Sequence, residues 1–179
     1  NFLIRKHYSI IYYMKVKSIF GTYDIRGRYP EELNEEIIYK IGQALVKFLN
    51  ADRLAVGYDL RPSSQKLAGV LNKGIISQGC DAVDIGPAPS GLIPLIVAQQ
   101  KLGGGVMVSA SHLGKEYNGL KLVDSSSQPI AAGSGLEEIE NLIQIEISPT
   151  REKGSVQSKD VLYDYLDYIF KFVDPKIIK

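Results

Sequence analysis

The chain has 179 residues, and its 21 Lys and Arg against 20 Asp and Glu leave a formal net charge of +1. With 45% hydrophobic and 23% charged residues it has the balance of a folded domain rather than a disordered chain, and no cationic excess exists to neutralise a nucleic-acid backbone. The single cysteine, Cys80, excludes an intrachain disulfide, and no Cys/His cluster at zinc spacing is present.

These features predict a reduced, cytoplasmic protein with neither nucleic acid nor membrane among its partners. The longest uncharged stretch, 85–100, holds Pro87, Pro89 and Pro94, and it falls short of the ~20 apolar residues a spanning helix needs. At the N-terminus, residues 1–13 join a basic cluster (Arg5, Lys6, His7) to a short apolar run that Lys15 and Lys17 soon interrupt. No small-residue cleavage site follows, so Met14 is read as the natural start and 1–13 as an upstream, non-native leader.

From Leu33 the pattern is helical. Asn34 is placed to cap the helix, Glu35 and Glu36 occupy its first turn, and Ile37, Ile41, Leu45 and Phe48 share one face. Residues 54–58 read as a short buried strand ending at Asp59. Ser63 then caps a second helix with the stripe Leu67, Val70, Leu71 and Ile75. A strand over 82–85 closes at Gly86-Pro87, and a helix over 92–99 tolerates Pro94 in its first turn. A third strand covers 105–108, a fourth 120–123, and a closing helix 136–145.

Such alternation predicts an α/β fold: a three-layer α/β/α domain with a mixed, mainly parallel sheet covered on both faces. Ligands in such sheets bind outside the carboxyl ends of the strands. That rule selects three loops, 59–63, 86–91 and 109–119.

Beyond this domain (14–153), Gly154-Ser155 reads as a linker and 160–173 as a helix apolar around much of its circumference. Asp174-Pro175 ends it, and 176–179 begin an unfinished strand. Residues 154–179 are thus expected to be a linker and the truncated beginning of a second domain.

Three segments carry candidate chemistry. The first runs from Ser109-Ala110-Ser111-His112 to Tyr117-Asn118-Gly119-Leu120-Lys121. A serine hydroxyl leaving a buried strand can be a nucleophile or phosphate carrier if a neighbour moves its proton, and Asn118-Gly119 signals a tight turn that brings Lys121 back toward Ser111. By residue types alone the same stretch also fits a Ser-rich surface hairpin. The second, Tyr23-Asp24-Ile25-Arg26-Gly27, can offer a guanidinium to a phosphate, or be an exposed turn with a solvated Asp-Arg pair. The third, Gly57-Tyr58-Asp59-Leu60-Arg61, opens onto a helix N-terminus suited to an anion, though a capped helix entry needs no ligand.

In this order and spacing, over roughly 17–145, the three segments resemble the first domain of the α-D-phosphohexomutases, the group of phosphomannomutase/phosphoglucomutase and phosphoglucosamine mutase. Residues 160–179 resemble the join into a second domain. The resemblance implies a four-domain enzyme that shifts a phosphate between positions 1 and 6 of a hexose phosphate (mannose or glucose) through a hexose 1,6-bisphosphate.

It implies, residue by residue, that Ser111 carries the phosphate, with His112 beside it as donor or proton-transfer partner. Lys121 is the general base or acid, and Arg26 contacts the moving phosphoryl. Arg61, Asn118, Gly119 and Tyr23 form the phosphate- and substrate-binding surround, Arg61 orienting the loop and Asn118-Gly119 shaping the turn. Mg2+ is implied as cofactor, held by the Ser111 phosphate and by aspartates of the second domain, whose Asp-Gly-Asp-x-Asp-Arg loop does not occur here. The remaining domains are therefore expected partners, and the chain alone is expected to be inactive.

The serine loop departs from the family's usual Ser-His-Asn-Pro, having Leu113-Gly114 after His112. Two other readings stay open: a phosphoglucosamine mutase domain and a non-catalytic binding module of the same fold. A serine hydrolase is disfavoured, since no Gly-x-Ser-x-Gly elbow occurs and the only histidines are His7 and His112.

Overall fold

In the computed structural model, residues 18–150, 152–174 and 177 are described; the leader, Met14 and all but one residue of the 176–179 strand lie outside them. Helix α1 (Glu35–Leu49) starts as its spacing predicts. Asn34 is extended, and its side chain accepts the Ile37 N–H at 3.1 Å. Glu35 and Glu36 meet the positive end of the helix dipole, and Asn50 closes the helix in the left-handed conformation. Ile37, Ile41 and Leu45 are buried, with Phe48 packed at the margin.

Three parallel strands form the centre of the sheet. β2 (Arg53–Tyr58) lies between β4 (Gly104–Val108) and β3 (Asp81–Pro87), so that Ala55 faces Gly105 on one side and Val83 on the other. Helices α2 (Ser64–Ile76) and α3 (Leu92–Gln100) make the two crossovers. Alternate side chains feed two cores. Leu54, Val56, Val106 and Val108 pack with α1 and α2, whereas Ala55, Val83 and Met107 pack with α3. A run buried on both faces explains why β2 and β4 are continuously apolar.

β5 (Tyr117–Asp124) is antiparallel to β4, and β1 (Ile25–Arg28) antiparallel to β5. β6 (Val156–Ser158) joins β3, giving the order β1-β5-β4-β2-β3-β6. The carboxyl ends of β1, β2, β3 and β4 and the start of β5 therefore share one edge. The expected mixed, mainly parallel sheet is what forms. The last two helices are α4 (Leu136–Leu142), shorter than expected, and α5 (Leu162–Ile169).

Four local expectations are corrected. Residues 25–28, read as part of a loop, form edge strand β1. Asn118-Gly119 is not a turn: both residues lie inside β5, opposite Gly27 and Arg26. Ser63 precedes α2 but makes no capping bond: its backbone is helical rather than extended, and its hydroxyl oxygen accepts from Asn118. Gly154-Ser155 is not a free tether, since it leads into β6. A Cβ at Gly154 would stand 2.0 Å from the Cys80 carbonyl oxygen, so glycine serves close approach there.

Tyr165 of α5 and Val161 just before it pack against the α3 side, while Leu162 and Tyr163 of the helix, and Phe170 and Phe172 beyond it, are exposed. No helix among the described residues is long and apolar enough to cross a membrane.

Candidate active site

The loop after β4 is built around Ser111. The Ser109 N–H bonds the Gly119 carbonyl at 2.9 Å, which roots the loop on β5. Ser111 is exposed and has φ +59, in the left-handed region; for a residue with a Cβ that conformation costs roughly 1–2 kcal/mol. Both of its peptide groups are held. Its N–H donates to Ser109 Oγ at 2.9 Å, and its carbonyl accepts from Arg61 at 2.8 Å.

Arg61 holds much more than that carbonyl. Its two terminal nitrogens also donate to the carbonyls of Leu113 (2.7 Å), Gly114 (2.5 Å) and Tyr117 (3.2 Å), and Nε donates to Asp59 at 3.0 Å. All five guanidinium N–H groups thus have partners inside the protein, leaving none for a ligand. These bonds go to backbone carbonyls, which any residue supplies, so Leu113-Gly114 fits the clamp as it stands.

Asp59 faces opposing influences. Burial pushes its carboxyl up, but the hydroxyls of Ser64 and Ser109, the Arg61 amide and the Arg61 charge together hold it below its ordinary 3.8.

Asn118 is fully buried. Its Nδ2 donates to Ser63 Oγ at 2.8 Å and Ser64 Oγ at 2.9 Å, and its Oδ1 accepts the Gly119 N–H at 2.8 Å. A side chain so placed has no face for a phosphate; Asn118 ties β5 to the start of α2. Gly119 is equally structural. A Cβ there would stand 2.3 Å from the Ile25 carbonyl oxygen, 3.0 Å from that of Ser109 and 3.1 Å from Arg26 Cγ. The missing side chain is what lets Arg26 lie across β5.

Arg26 faces Gly119 across the β1–β5 ladder, and Lys121 lies two residues along β5 on the same face. Between them is Asp24, 8% exposed. One oxygen, Oδ2, accepts from Arg26 Nε (2.9 Å) and from a terminal nitrogen (2.6 Å), with Lys121 Nζ at 3.6 Å. Two cations share one carboxylate, which leaves a local positive charge beside the root of the serine loop. His112 is exposed next to Ser111, and Tyr23 is 77% exposed.

The third loop selected from sequence, 86–91, bonds back to β2 through Ala88 N–H and the Tyr58 carbonyl. On the far flank, Tyr29 N–H bonds the Glu116 carbonyl, and its hydroxyl donates to Glu35 at 2.6 Å while accepting from Lys66.

Among the described residues, no group of three or more His, Cys, Asp or Glu side chains could hold a metal ion. The two carboxylates flanking the serine loop, Asp24 and Asp59, are already engaged by arginines. The described side chains therefore do not form a magnesium site by themselves.

Three parallel strands, an antiparallel pair at their edge and an exposed serine held left-handed at the mouth of β4 define an α/β/α domain organised around one hydroxyl. The family model described as phosphoglucomutase/phosphomannomutase, alpha/beta/alpha domain I, matches residues 17–149, and the chain belongs to that family. A phosphomannomutase of Klebsiella pneumoniae is 38% identical over 152 residues, which cover 83% of this chain and 96% of that protein. One from Escherichia coli is 37% identical over 159 residues, covering 87% of this chain and 35% of the relative. The solved phosphoglucomutase/phosphomannomutase family protein of Burkholderia thailandensis superposes with a TM-score of 0.79 at 26% identity, over 88% of this chain and 36% of that one. The chain thus spans about a third of the length of the Escherichia coli relative.

The structure joins Arg61 to the Ser111 carbonyl and brings Arg26 and Lys121 together on Asp24, and the sequence reading undervalued the carboxylates. Asp59 and Asp24 each stand two residues before their arginine, a repeated Asp-x-Arg spacing that could have marked both as partners.

Proposed function

We propose that this chain is the phosphoserine domain of a cytoplasmic phosphohexomutase acting on mannose or glucose phosphate, with Ser111 as the carrier. The phosphoryl leaves Ser111 Oγ as the P–Oγ bond breaks, and a new P–O bond forms to one sugar hydroxyl. The proton of that hydroxyl ends on Ser111 Oγ, and Lys121 and His112 are assigned to its transfer. The bisphosphorylated sugar then turns round and returns its other phosphate by the reverse step, so that the net change is a shift between positions 1 and 6.

Transfer of this kind needs positioning and cationic surroundings more than covalent help. The observation that carries the reading is the exposed Ser111 hydroxyl on a backbone fixed at both peptide groups. The pair Arg26 and Lys121 supports it by supplying positive charge on the adjoining strands, with Tyr23 exposed nearby for substrate contact. Arg61 takes the loop-holding role, since its donors are spent. A Ser111 phosphate would give Mg2+ one anionic ligand, the others coming from the remaining domains of the full-length protein, which also complete the sugar site.

The test is Ser111→Ala in the full-length protein. Mutase activity is expected to vanish with the fold intact, and undiminished turnover would assign the phosphate to another residue.

A further inference from the structure

We propose that Asp59 is a positioning residue that fixes the conformation of Ser111 through Arg61. The kinetic part of this inference rests on Ser111 being the phosphate carrier; the conformational part does not. Ser111 has one N–H and one carbonyl with which the fold can hold it. The N–H ends on Ser109 Oγ (2.9 Å) and the carbonyl on Arg61 (2.8 Å). Arg61 is in turn bonded to Asp59 by Nε at 3.0 Å.

The charged guanidinium of Arg61 calls for a carboxylate as its partner. A guanidinium is a rigid planar fork, so fixing Nε on Asp59 aims both terminal nitrogens at the loop carbonyls. Asp59 is itself held: Ser64 Oγ donates to it at 2.5 Å, and Ser64 is bonded to buried Asn118 of β5 at 2.9 Å. One carboxylate therefore joins β5, α2 and the end of β2 to the residue with the strained backbone.

The experiment compares Asp59→Asn, Arg61→Lys and their pair in the full-length protein. Hydrogen exchange at the Ser111 amide is expected to quicken about tenfold in Asp59→Asn while the amides of β2 and β4 keep their protection. With glucose 1,6-bisphosphate as phosphate donor, the maximal rate of phosphate uptake on Ser111 falls about 100-fold with little change in KM. Arg61→Lys added to Asp59→Asn contributes little more, because both act on one network.

Unchanged exchange at Ser111 in Asp59→Asn, or additive effects in the pair, overturns the proposal. Should Asp59→Asn fail to fold, Arg61→Lys carries the same reading: it must loosen the Ser111 amide, and an unaltered amide is the contradicting result. If the unaltered protein takes up no phosphate, the mutase reading fails, while amide exchange still decides the role of Asp59.

Discussion

Two segments of this chain share the spacing Asp-x-Arg, and the fold puts them to opposite uses. Arg61, its side chain 11% exposed, spends every guanidinium proton on Asp59 and four loop carbonyls. Arg26, 29% exposed, bonds Asp24 alone among the described residues, and that carboxylate is shared with Lys121. The difference comes from what lies opposite each arginine. Arg61 leaves the end of a central parallel strand beneath a loop of outward carbonyls. Arg26 lies on an edge strand, over a glycine and beside a second cation. One arginine fixes geometry, and the other keeps charge available. A short motif thus fixes an ion pair but not its task.

Removing Arg61 should have the largest effect on stability. Arg61→Ala leaves Asp59 without its cation and four carbonyls without donors, a loss of about 3 kcal/mol by urea denaturation. A loss under 1 kcal/mol would mean that the loop holds itself.

Gly119→Ala comes next. The new methyl would meet the Ile25 and Ser109 carbonyls, which costs about 2 kcal/mol and displaces Arg26. Wild-type stability with wild-type phosphate uptake would deny Gly119 that role.

Arg26→Gln should cost only ~1 kcal/mol, since Lys121 remains beside Asp24 and the pair is partly solvated, yet phosphate uptake on Ser111 should collapse. Equal losses of stability for Arg26→Gln and Arg61→Ala would erase the contrast.

The smallest effect is on acid stability. Hydrogen bonds from Lys66 and then Tyr29 hold the Glu35 carboxyl at about 2, below its ordinary 4.5. A depressed carboxyl contributes stability that is full above the ordinary value and lost as pH falls toward the folded one. Melting temperature should therefore drop from about pH 4.5 to 2, with Asp59 adding to the loss below its ordinary 3.8. Glu35→Gln should flatten the Glu35 portion of that curve, and an unchanged slope would refute its share.

Much of this architecture could be read from the chain because its causes are local. Asn34 caps α1 with its own side chain, and the stripe Ile37, Ile41, Leu45 follows helical spacing. Strands β2 and β4 are short, largely apolar runs closed by polar or glycine-containing segments. What could not be read depends on partners distant in sequence. β1 is four residues, Ile-Arg-Gly-Arg, with little strand preference of its own, and exists because β5 pairs with it. Asn118-Gly119 has the composition of a turn, but burial of Asn118 against Ser63 and Ser64 draws it into a strand. The serine loop was visible as a cluster of reactive side chains. Its support was not, since a guanidinium bonded to carbonyls about fifty residues away leaves no periodic trace.

The central claim is that Ser111 accepts and returns a phosphoryl group. Its most direct test is peptide mapping by mass spectrometry of the full-length protein after incubation with glucose 1,6-bisphosphate. A single phosphate on Ser111, lost again on incubation with excess hexose monophosphate, is the predicted result. A protein that stays unmodified, or carries its phosphate on another residue, contradicts the account.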